Sequence, residues 1–330
     1  MANKGYRHLT YEDRCQIYAL KKSGTTPSKI AMEIGVNKST ITREIQRNSG
    51  DAGYRFKQAQ RLSESRRSEA SRAPLKMTSD CIGLIEEKIT IQWSPVQISG
   101  WMKRNMSYSV SPERIYQHIW QDKAQGGTLY KHLRHNGKKY HKRSAKNAGR
   151  GCIPGRVDIA ERPQVVEAKQ RIGDWELDTI IGKNHHRAIV SMVDRASKFT
   201  KLILVPNKTA DMVTSAITSA LEPLKPFVLT MTADNGKEFA GHEELKQALG
   251  AQVYFATPYH SWERGLNEHT NGLVRQYFQK GTAFASLSQD DVQKVEALLN
   301  GRPRKILNFQ TPMEVFSRIV PDLLGGALQG

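Results

Sequence analysis

Five short apolar runs, rich in Val, Ile and Leu, constrain what the second half of this 330-residue chain can fold into. The first three follow one another directly, and the last two are separated by stretches with helical spacing. Each run is short enough to be a buried strand and is bounded by polar or turn-forming residues. We therefore predict strands at 175–181, 188–193, 201–205, 227–232 and 252–255, and helices at 210–221, 242–249 and 261–278.

Three strands, helix, strand, helix, strand and helix is the element order of a ribonuclease-H-like fold with a mixed sheet. Several α/β folds share parts of this order, so the order alone does not decide the fold. It predicts an α/β core over residues 171–285, followed by a C-terminal helical extension over residues 286–330.

Three acidic residues occur on separate elements of this predicted core. Asp178 lies inside the first strand, Asp234 ends the fourth strand at the DNGKEF turn, and Glu268 lies on the last helix. An acid among apolar strand residues is costly unless it is paired or bound to a metal. Carboxylate oxygens suit Mg²⁺, for which Mn²⁺ can substitute, and two such ions support phosphodiester chemistry. We predict that these three residues bind the metal ions and carry catalysis.

Two glutamates compete for the position on the last helix. Asn271 and Arg275 follow Glu268 at i+3 and i+7, so all three share one helical face, where an amide and a guanidinium can position DNA. Lys280 lies beyond them and is also predicted to contact the DNA backbone. Glu263 is on a different face and is interpreted as a first-turn acid or a local structural contact. The weaker candidates are the other acids close to these elements: Asp174, Glu176, Asp194 and Glu238.

The charge of the chain is very uneven. Of the formal net charge of +18, +17 falls in residues 1–170 and only +1 in residues 171–330. A basic half of this kind indicates a polyanionic partner, usually nucleic acid, with an anionic membrane surface as the alternative. No run of 18 apolar residues and no apolar signal segment occurs in the sequence, which favours a cytoplasmic protein without a membrane partner.

The first helical region, residues 1–55, has helix–turn–helix spacing. Ser23-Gly24 ends a first helix, Thr26-Pro27 starts a second that ends at Gly35, and Asn37 caps a third. Apolar side chains face inward, and the outward side chains of the third helix can donate to phosphates or base edges. A helical module with a solvated charged face is the alternative. The predicted groove-facing residues are Lys38, Ser39, Thr40, Thr42, Arg43 and Arg47.

A second helix–turn–helix unit is predicted over residues 77–125, after a polar linker at 56–76. Ser94-Pro95 and Ser111-Pro112 start its second and third helices. Trp101 and Trp120 are predicted to lie in its core. The predicted DNA-facing residues of its third helix are Arg114, Gln117 and His118.

A basic linker, residues 126–170, is predicted to tether these units to the core. Residues 131–150 hold eight Lys or Arg and no acid, a composition typical of an arm that contacts phosphates. Its His132, His135 and His141 have no cysteines at zinc-ligand spacing. The three cysteines of the chain are far apart, which favours neither a zinc finger nor a disulfide framework.

Several of these segments together resemble one enzyme family. WELD in the first strand, TADNGKEF, PYHSWERGLNEHTNGLVRQYFQKGT and NGRPRKILNFQTPMEVF resemble the IS-thirty (IS30) family of bacterial insertion-sequence transposases, and more distantly retroviral integrases. The resemblance covers essentially the whole chain. It implies a DDE recombinase with Asp178, Asp234 and Glu268 as metal ligands, terminal inverted repeats as the bound DNA, and a circular element with abutted ends as intermediate.

The predicted function is therefore metal-dependent DNA strand cleavage and strand transfer, in a bacterial, nucleoid-associated enzyme. The helix–turn–helix units would bind the ends of the element, and a homodimer or higher oligomer would bring two ends and the target DNA together. A freed 3′-hydroxyl would attack the next phosphodiester without a covalent protein–DNA link. Two alternatives remain open from the sequence: a DNA-binding repressor without catalysis, and a metal-dependent nuclease without strand transfer.

Overall fold

The computed structural model describes residues 7–71, 77–134, 153–183, 186–258 and 260–320. The chain divides into two compact units, Met1–Leu75 and Lys76–Gly330. Within the described ranges, no helix is both long and apolar enough to cross a membrane.

The first unit is a small helical domain whose helix ends follow the capping signals of the sequence. Thr10 forms a capping box with Asp13, Asn37 accepts a hydrogen bond from the Ser39 N–H, and Gly35 ends a helix with φ of 75°. Ile17, Ile30 and Ile41 are fully buried in its core, as predicted. Its elements are α1 (Tyr11–Lys22), α2 (Pro27–Ile34), α3 (Lys38–Asn48), β1 (Ser49–Gly50), β2 (Gly53–Tyr54) and α4 (Phe56–Ser71).

The predicted linker at 56–76 differs from the structure, because its first sixteen residues form α4 and pack against α1 and α3. Phe56 and Ala59 in the first turn of α4 pack against the core, and the middle of the helix makes polar contacts. Arg14, buried and paired with Glu44 at 2.9 Å, also donates to Gln60 Oε1 at 2.8 Å and Ser63 Oγ at 3.1 Å. Because most of its side chains are polar, the sequence of α4 has the composition of a linker.

The second unit begins with another three-helix bundle, α5 (Ser79–Thr90), α6 (Pro95–Asn105) and α7 (Pro112–Ala124). Trp101 packs against its core and meets Trp93 edge to face. The prediction that Trp120 is buried was wrong, since half of this residue is exposed. Trp120 follows the buried Ile119 directly, and one residue on a helix turns the side chain by 100° to the outer face.

The rest of the second unit is built on one six-stranded mixed sheet. Its strand order is β3-β8-β7-β4-β5-β6. Strands β3, β8, β7 and β4 pair in parallel, β5 pairs antiparallel with β4, and β6 pairs antiparallel with β5. This confirms the predicted mixed-sheet α/β core. The strands are β3 (Val157–Asp158), β4 (Asp174–Ile181), β5 (Ala188–Asp194), β6 (Thr200–Val205), β7 (Thr230–Ala233) and β8 (Gln252–Phe255).

Helices cover both faces of the sheet. α8 (Ala210–Leu221) and α9 (His242–Leu249) pack on one face with Phe316 of α12 (Pro312–Ser317), and α10 (Gly265–Tyr277) and α11 (Gln289–Asn300) pack on the other. The predicted C-terminal extension, residues 286–330, therefore contributes to the core as far as it is described. α11 contacts β6 directly, and its Val292, Val295 and Leu299 are buried.

The predicted basic linker, residues 126–170, also differs in its last part. Val157 and Asp158 form β3, which pairs with β8, and Ile153 is buried in the sheet core. Residues 135–152, with most of the basic arm, lie outside the described residues. A two-residue strand gives no periodicity in the sequence, so only its pairing partner defines it.

Side chains of α11 cover the outer edge of β6. Glu296 accepts from the Leu202 N–H at 2.6 Å, Gln289 accepts from the Leu204 N–H at 2.8 Å, and Asn300 both accepts from and donates to the Thr200 backbone at 2.8 Å. These contacts replace the hydrogen bonds that a further strand would make.

Candidate active site

The side-chain alternation of β4 places Asp178 on the face of the sheet that α10 covers. Trp175 and Leu177 are buried on the opposite face, among the residues that pack under α8 and α9. Glu176, Asp178 and Ile180 therefore share the α10 side. Asp178 Oδ1 accepts a hydrogen bond from the Thr179 N–H at 2.8 Å, which fixes one oxygen and leaves Oδ2 directed to the helix.

Asp234 follows β7, the strand beside β4, so the parallel pairing of the two strands brings it next to Asp178. Its Oδ1 accepts from the Gly236 N–H at 2.8 Å in a tight turn. A Cβ at Gly236 would lie 2.7 Å from that oxygen and 2.5 Å from the Glu238 carboxylate. A side chain at this position would displace one or both carboxylates from their present positions. Asn235 is buried and donates to the Ala256 carbonyl at 2.6 Å, which ties the turn to the end of β8.

The residues of α10 lie across from these strands. Asn271 donates to Asp178 Oδ2 at 2.8 Å and accepts from Ser191 Oγ at 3.2 Å. Glu268 is exposed on the same helix, one turn before Asn271. Arg275 is half-buried, donates to the Ile181 carbonyl at 2.7 Å and lies against the Phe284 ring, and its contact with DNA stays a prediction.

Arg264 is the residue that sequence reasoning missed. Its guanidinium lies between the two aspartates, 2.8 Å from Asp178 Oδ2 and 3.1 Å from Asp234 Oδ2, with 11% of the side chain exposed. Within the predicted helix at 261–278 it precedes Glu268 by four residues, a spacing that puts both on one face, although in the structure Arg264 is the N-cap of α10. Two carboxylates from neighbouring strands thus share one cation.

Burial and charge act against each other in this cluster. Burial raises the pKa of Asp178, although the Arg264 guanidinium opposes that effect. Burial alone would lower the pKa of Arg264, but the attraction of Asp178 and Asp234 outweighs it, so the pKa is raised and the guanidinium is charged. The site is held together by an ionised arginine and carboxylates.

The two aspartates fit a hard divalent cation. Their Oδ2 oxygens already converge on one positively charged group, and carboxylate oxygens are the ligands that Mg²⁺ prefers. In the described part of the chain, no three His, Cys, Asp or Glu side chains form a closed metal cluster. Glu268 is an exposed residue of α10.

The other acids near the site have structural contacts. Glu176 pairs with Arg195 at 2.9 Å and accepts from the Asn267 N–H. Glu263 accepts from the Thr257 N–H at 2.8 Å, a local contact. The remaining three are held by neighbouring residues: Asp174 by Arg171 and Thr230, Asp194 by the Gly173 and Ser197 N–H groups, and Glu238 by Thr179 and Lys208.

The outer face of α3 presents most of its predicted DNA contacts to solvent. Lys38, Ser39, Arg43 and Arg47 are exposed. Thr40 and Thr42 are half-buried, and the Thr42 hydroxyl donates to the Lys38 carbonyl at 3.1 Å. The face therefore carries three cations and a hydroxyl.

The predicted contacts on α7 differ among themselves. Arg114 and Gln117 are exposed and hydrogen-bonded to each other at 3.2 Å. His118 is half-buried, and its Nε2 lies 2.8 Å from Glu86 Oε1 of α5, so it links two helices. Lys280, after α10, is exposed.

Family models match two regions of the chain, the first helical domain and the sheet core. Residues 5–48 match the family model of a helix-turn-helix domain, and residues 168–261 match that of an integrase core domain. A transposase for insertion sequence element IS4351 from Bacteroides fragilis is 45% identical to this chain, covering 95% of it and 97% of its own length. Transposase InsI for insertion sequence element IS30A from Escherichia coli is 34% identical, covering 94% of this chain and 84% of its own.

Another transposase, for insertion sequence element IS1086 from Cupriavidus metallidurans, is 34% identical and covers 98% of each chain. Among solved structures, the catalytic core domain of BIV integrase has 22% sequence identity and a TM-score of 0.35, covering 44% of this chain and 94% of its own.

Proposed function

Because this chain belongs to the IS30 family of insertion-sequence transposases, we propose that Asp178, Asp234 and Glu268 carry its catalysis. The enzyme is a DDE transposase whose integrase-type core cleaves and joins DNA strands, and its helix–turn–helix domain binds DNA. A core of this type works with a divalent cation. We assign that cation as Mg²⁺, in a pair of ions held by the three carboxylates, with Mn²⁺ as a substitute.

The observation that carries this assignment is the meeting of Asp178 and Asp234. They are far apart in sequence, yet β4 and β7 present one oxygen of each to the same positive charge, 2.8 and 3.1 Å away. Glu268 lies on the helix that supplies this charge. Bound divalent ions supply activation of a hydroxyl or water nucleophile and stabilisation of the leaving oxygen.

The surrounding residues hold the aspartates in fixed orientations. Asn271 holds Asp178 Oδ2, the Thr179 N–H holds its Oδ1, and the Gly236 N–H holds Asp234 Oδ1. Such fixed carboxylates need little reorganisation when substrate arrives. This chemistry needs no covalent intermediate on the protein, and the proposal uses no serine or tyrosine nucleophile.

We assign the terminal inverted repeats of the element to the helix–turn–helix units. The exposed Lys38, Arg43 and Arg47 of α3 support phosphate contacts and direct base contacts in a major groove. Arg114 and Gln117 of α7 would contact a second stretch of the same end. At least a dimer would pair two ends, and a circle with abutted ends would be the intermediate before insertion into target DNA.

The test uses oligonucleotide duplexes that carry the inverted repeats flanking the gene. Asp178→Asn, Asp234→Asn and Glu268→Gln are each expected to lower cleavage in Mg²⁺ by about a thousandfold or more, as expected for loss of a group that stabilises the transition state. Duplex binding in a gel-shift assay should stay within about twofold of wild type. Asp290→Asn, at the exposed start of α11, is the matched control and should keep wild-type cleavage.

Full cleavage by Asp178→Asn or Asp234→Asn, with DNA binding intact, would refute the assignment. Duplexes that are already cut at the element end separate transposition from simple nuclease activity. The wild type is expected to join their 3′-hydroxyl to a second duplex, whereas a nuclease leaves them unjoined. A repressor without catalysis would bind these duplexes and change none of them.

A further inference from the structure

Arg264 is the one group that contacts both aspartates in the described structure of this site. Asn271 is neutral and, of the two aspartates, donates to Asp178. The guanidinium is ionised, largely buried, and bound to Oδ2 of each carboxylate, the same oxygens that converge toward α10. The cation that neutralises the two carboxylates is thus a side chain of the protein itself.

This arrangement opposes a metal ion between the same two oxygens. Mg²⁺ binds carboxylate oxygen at about 2.0–2.1 Å, and Asp178 Oδ2 already has the Arg264 NH2 group at 2.8 Å. An ion there would lie within a few ångströms of the guanidinium, where like charges in a partly buried site repel strongly. Either the arginine or the ion occupies the position between the aspartates.

The backbone at Arg264 is placed for such a change. Residues Ser261–Arg264 form a short 3₁₀ turn, and Arg264 is the N-cap of α10 with φ of −122° and ψ of 33°, outside the helix itself. No side chain caps this helix end, and the next residue, Gly265, is exposed. Rotation of the Arg264 side chain alone can move the guanidinium away, so the hydrogen bonds of α10, which carries Asn271 and Glu268, stay intact.

We propose that Arg264 is a resident counter-cation that holds Asp178 and Asp234 before metal binding and exchanges them for a DNA phosphate when substrate arrives. The proposal rests on the assignment of the two aspartates as metal ligands. DNA backbone at Glu268 would lie near Arg264, which is only four residues earlier, and a guanidinium pairs with phosphate as well as with carboxylate. DNA binding and metal binding are then positively coupled, each removing an obstacle to the other.

The experiment measures Mn²⁺ affinity of the full-length protein by electron paramagnetic resonance, with and without a duplex of arbitrary sequence at low ionic strength. For the wild type we expect the duplex to tighten Mn²⁺ binding about tenfold or more. This is the factor expected when the charge-assisted hydrogen bonds of Arg264 no longer compete with Mn²⁺ for the aspartate oxygens. Arg264→Gln should bind Mn²⁺ that tightly without DNA, and the duplex should change its affinity by less than about twofold. Lys294→Gln, which removes an exposed cation on α11, should behave as wild type.

Equal Mn²⁺ affinity of the wild type and Arg264→Gln without DNA would overturn the proposal, as would an undiminished effect of the duplex in the variant. The double variant Arg264→Gln/Asp178→Asn separates this failure from a failure of the ligand assignment. If the double variant still bound Mn²⁺ as tightly as Arg264→Gln, Asp178 would not be a ligand, and the proposed function would fail as well.

A thermal melt provides a readout that does not depend on DNA. Without Arg264 the two carboxylates face each other with no cation between them, so Arg264→Gln should unfold at a lower temperature than the wild type in EDTA. Mn²⁺ should raise the melting temperature of the variant more than that of the wild type. A variant that melts like the wild type in EDTA would show that the guanidinium does not hold the aspartates together.

Discussion

The buried pair of Arg195 and Glu176 offers a sharp test of how the core supports the site. Arg195→Met removes the cation and leaves the Glu176 carboxylate, 1% exposed, without its partner at 2.9 Å. Removing one partner of a buried ion pair costs about 3–5 kcal/mol. Glu176 keeps the Asn267 N–H at 3.2 Å, and the lost contact with the mostly exposed Glu167 is worth little, so we expect about 3 kcal/mol at pH 8.

The effect should depend on pH with a definite sign. Burial raises the pKa of Glu176 in the folded protein, and loss of the attraction of Arg195 raises it further. A carboxyl group with a raised folded pKa stabilises the fold below its unfolded pKa, about 4.3, and this contribution is lost as pH rises through the folded pKa. The deficit of Arg195→Met should therefore be smaller at pH 5 than at pH 8.

Urea unfolding followed by tryptophan emission is the suitable assay. The chain has five tryptophans, the first at Trp93, so the signal reports the second unit and not the first. The double variant Arg195→Met/Glu176→Leu should recover most of the loss, because an apolar pair of similar volume needs no counter-charge. A deficit below about 1 kcal/mol at pH 8, or one independent of pH, would refute the reasoning.

Three further predictions concern packing, the sheet edge and DNA binding. Gly100→Ala should destabilise the second unit by about 1–3 kcal/mol in urea melts, because its Cβ would lie 2.3 Å from the Phe309 ring, whereas Gly83→Ala, with nothing within 4 Å, should stabilise it by up to about 1 kcal/mol. Burial raises the pKa of Glu296, so the stability of the wild type relative to Glu296→Gln should fall as pH rises from about 4 to about 7; a flat difference would contradict this. Arg43→Ala should weaken duplex binding and reduce the slope of log affinity against log salt by about 1 if it contacts a phosphate; an unchanged slope would exclude that contact.

Local sequence patterns were sufficient for most of the secondary structure. The predicted strand at 188–193 is β5 with one residue added, and the helices at 210–221 and 242–249 have the predicted bounds. These features depend on neighbours in the sequence, which is why periodicity and capping residues predict them.

Features that depend on distant partners were not predictable in this way. α4 is mostly polar and looks like a linker, because contacts from Arg14 and only a short apolar segment hold it in place. β3 exists only through its pairing with β8. The bond from Arg275 to the Ile181 carbonyl also depends on a distant partner, which no spacing rule places beside it.

The missed role of Arg264 has the same origin. An arginine at the start of a predicted helix is ordinarily a solvated side chain, and its charge fits a DNA-binding protein. Only the pairing of β4 with β7 brings two carboxylates to within about 3 Å of its guanidinium. The sequence could place Arg264 on the face of Glu268, but not between the aspartates.

The amide and carboxylate side chains of α11 along β6 have a consequence for how copies of this protein can associate. A sheet margin normally invites a neighbour's strand, but here the Thr200, Leu202 and Leu204 amides are already engaged from within the same chain. A strand of another copy therefore cannot extend the sheet by pairing with β6. Copies that associate through their sheets must therefore use an edge other than that of β6, and β6 is not a seed for fibrils.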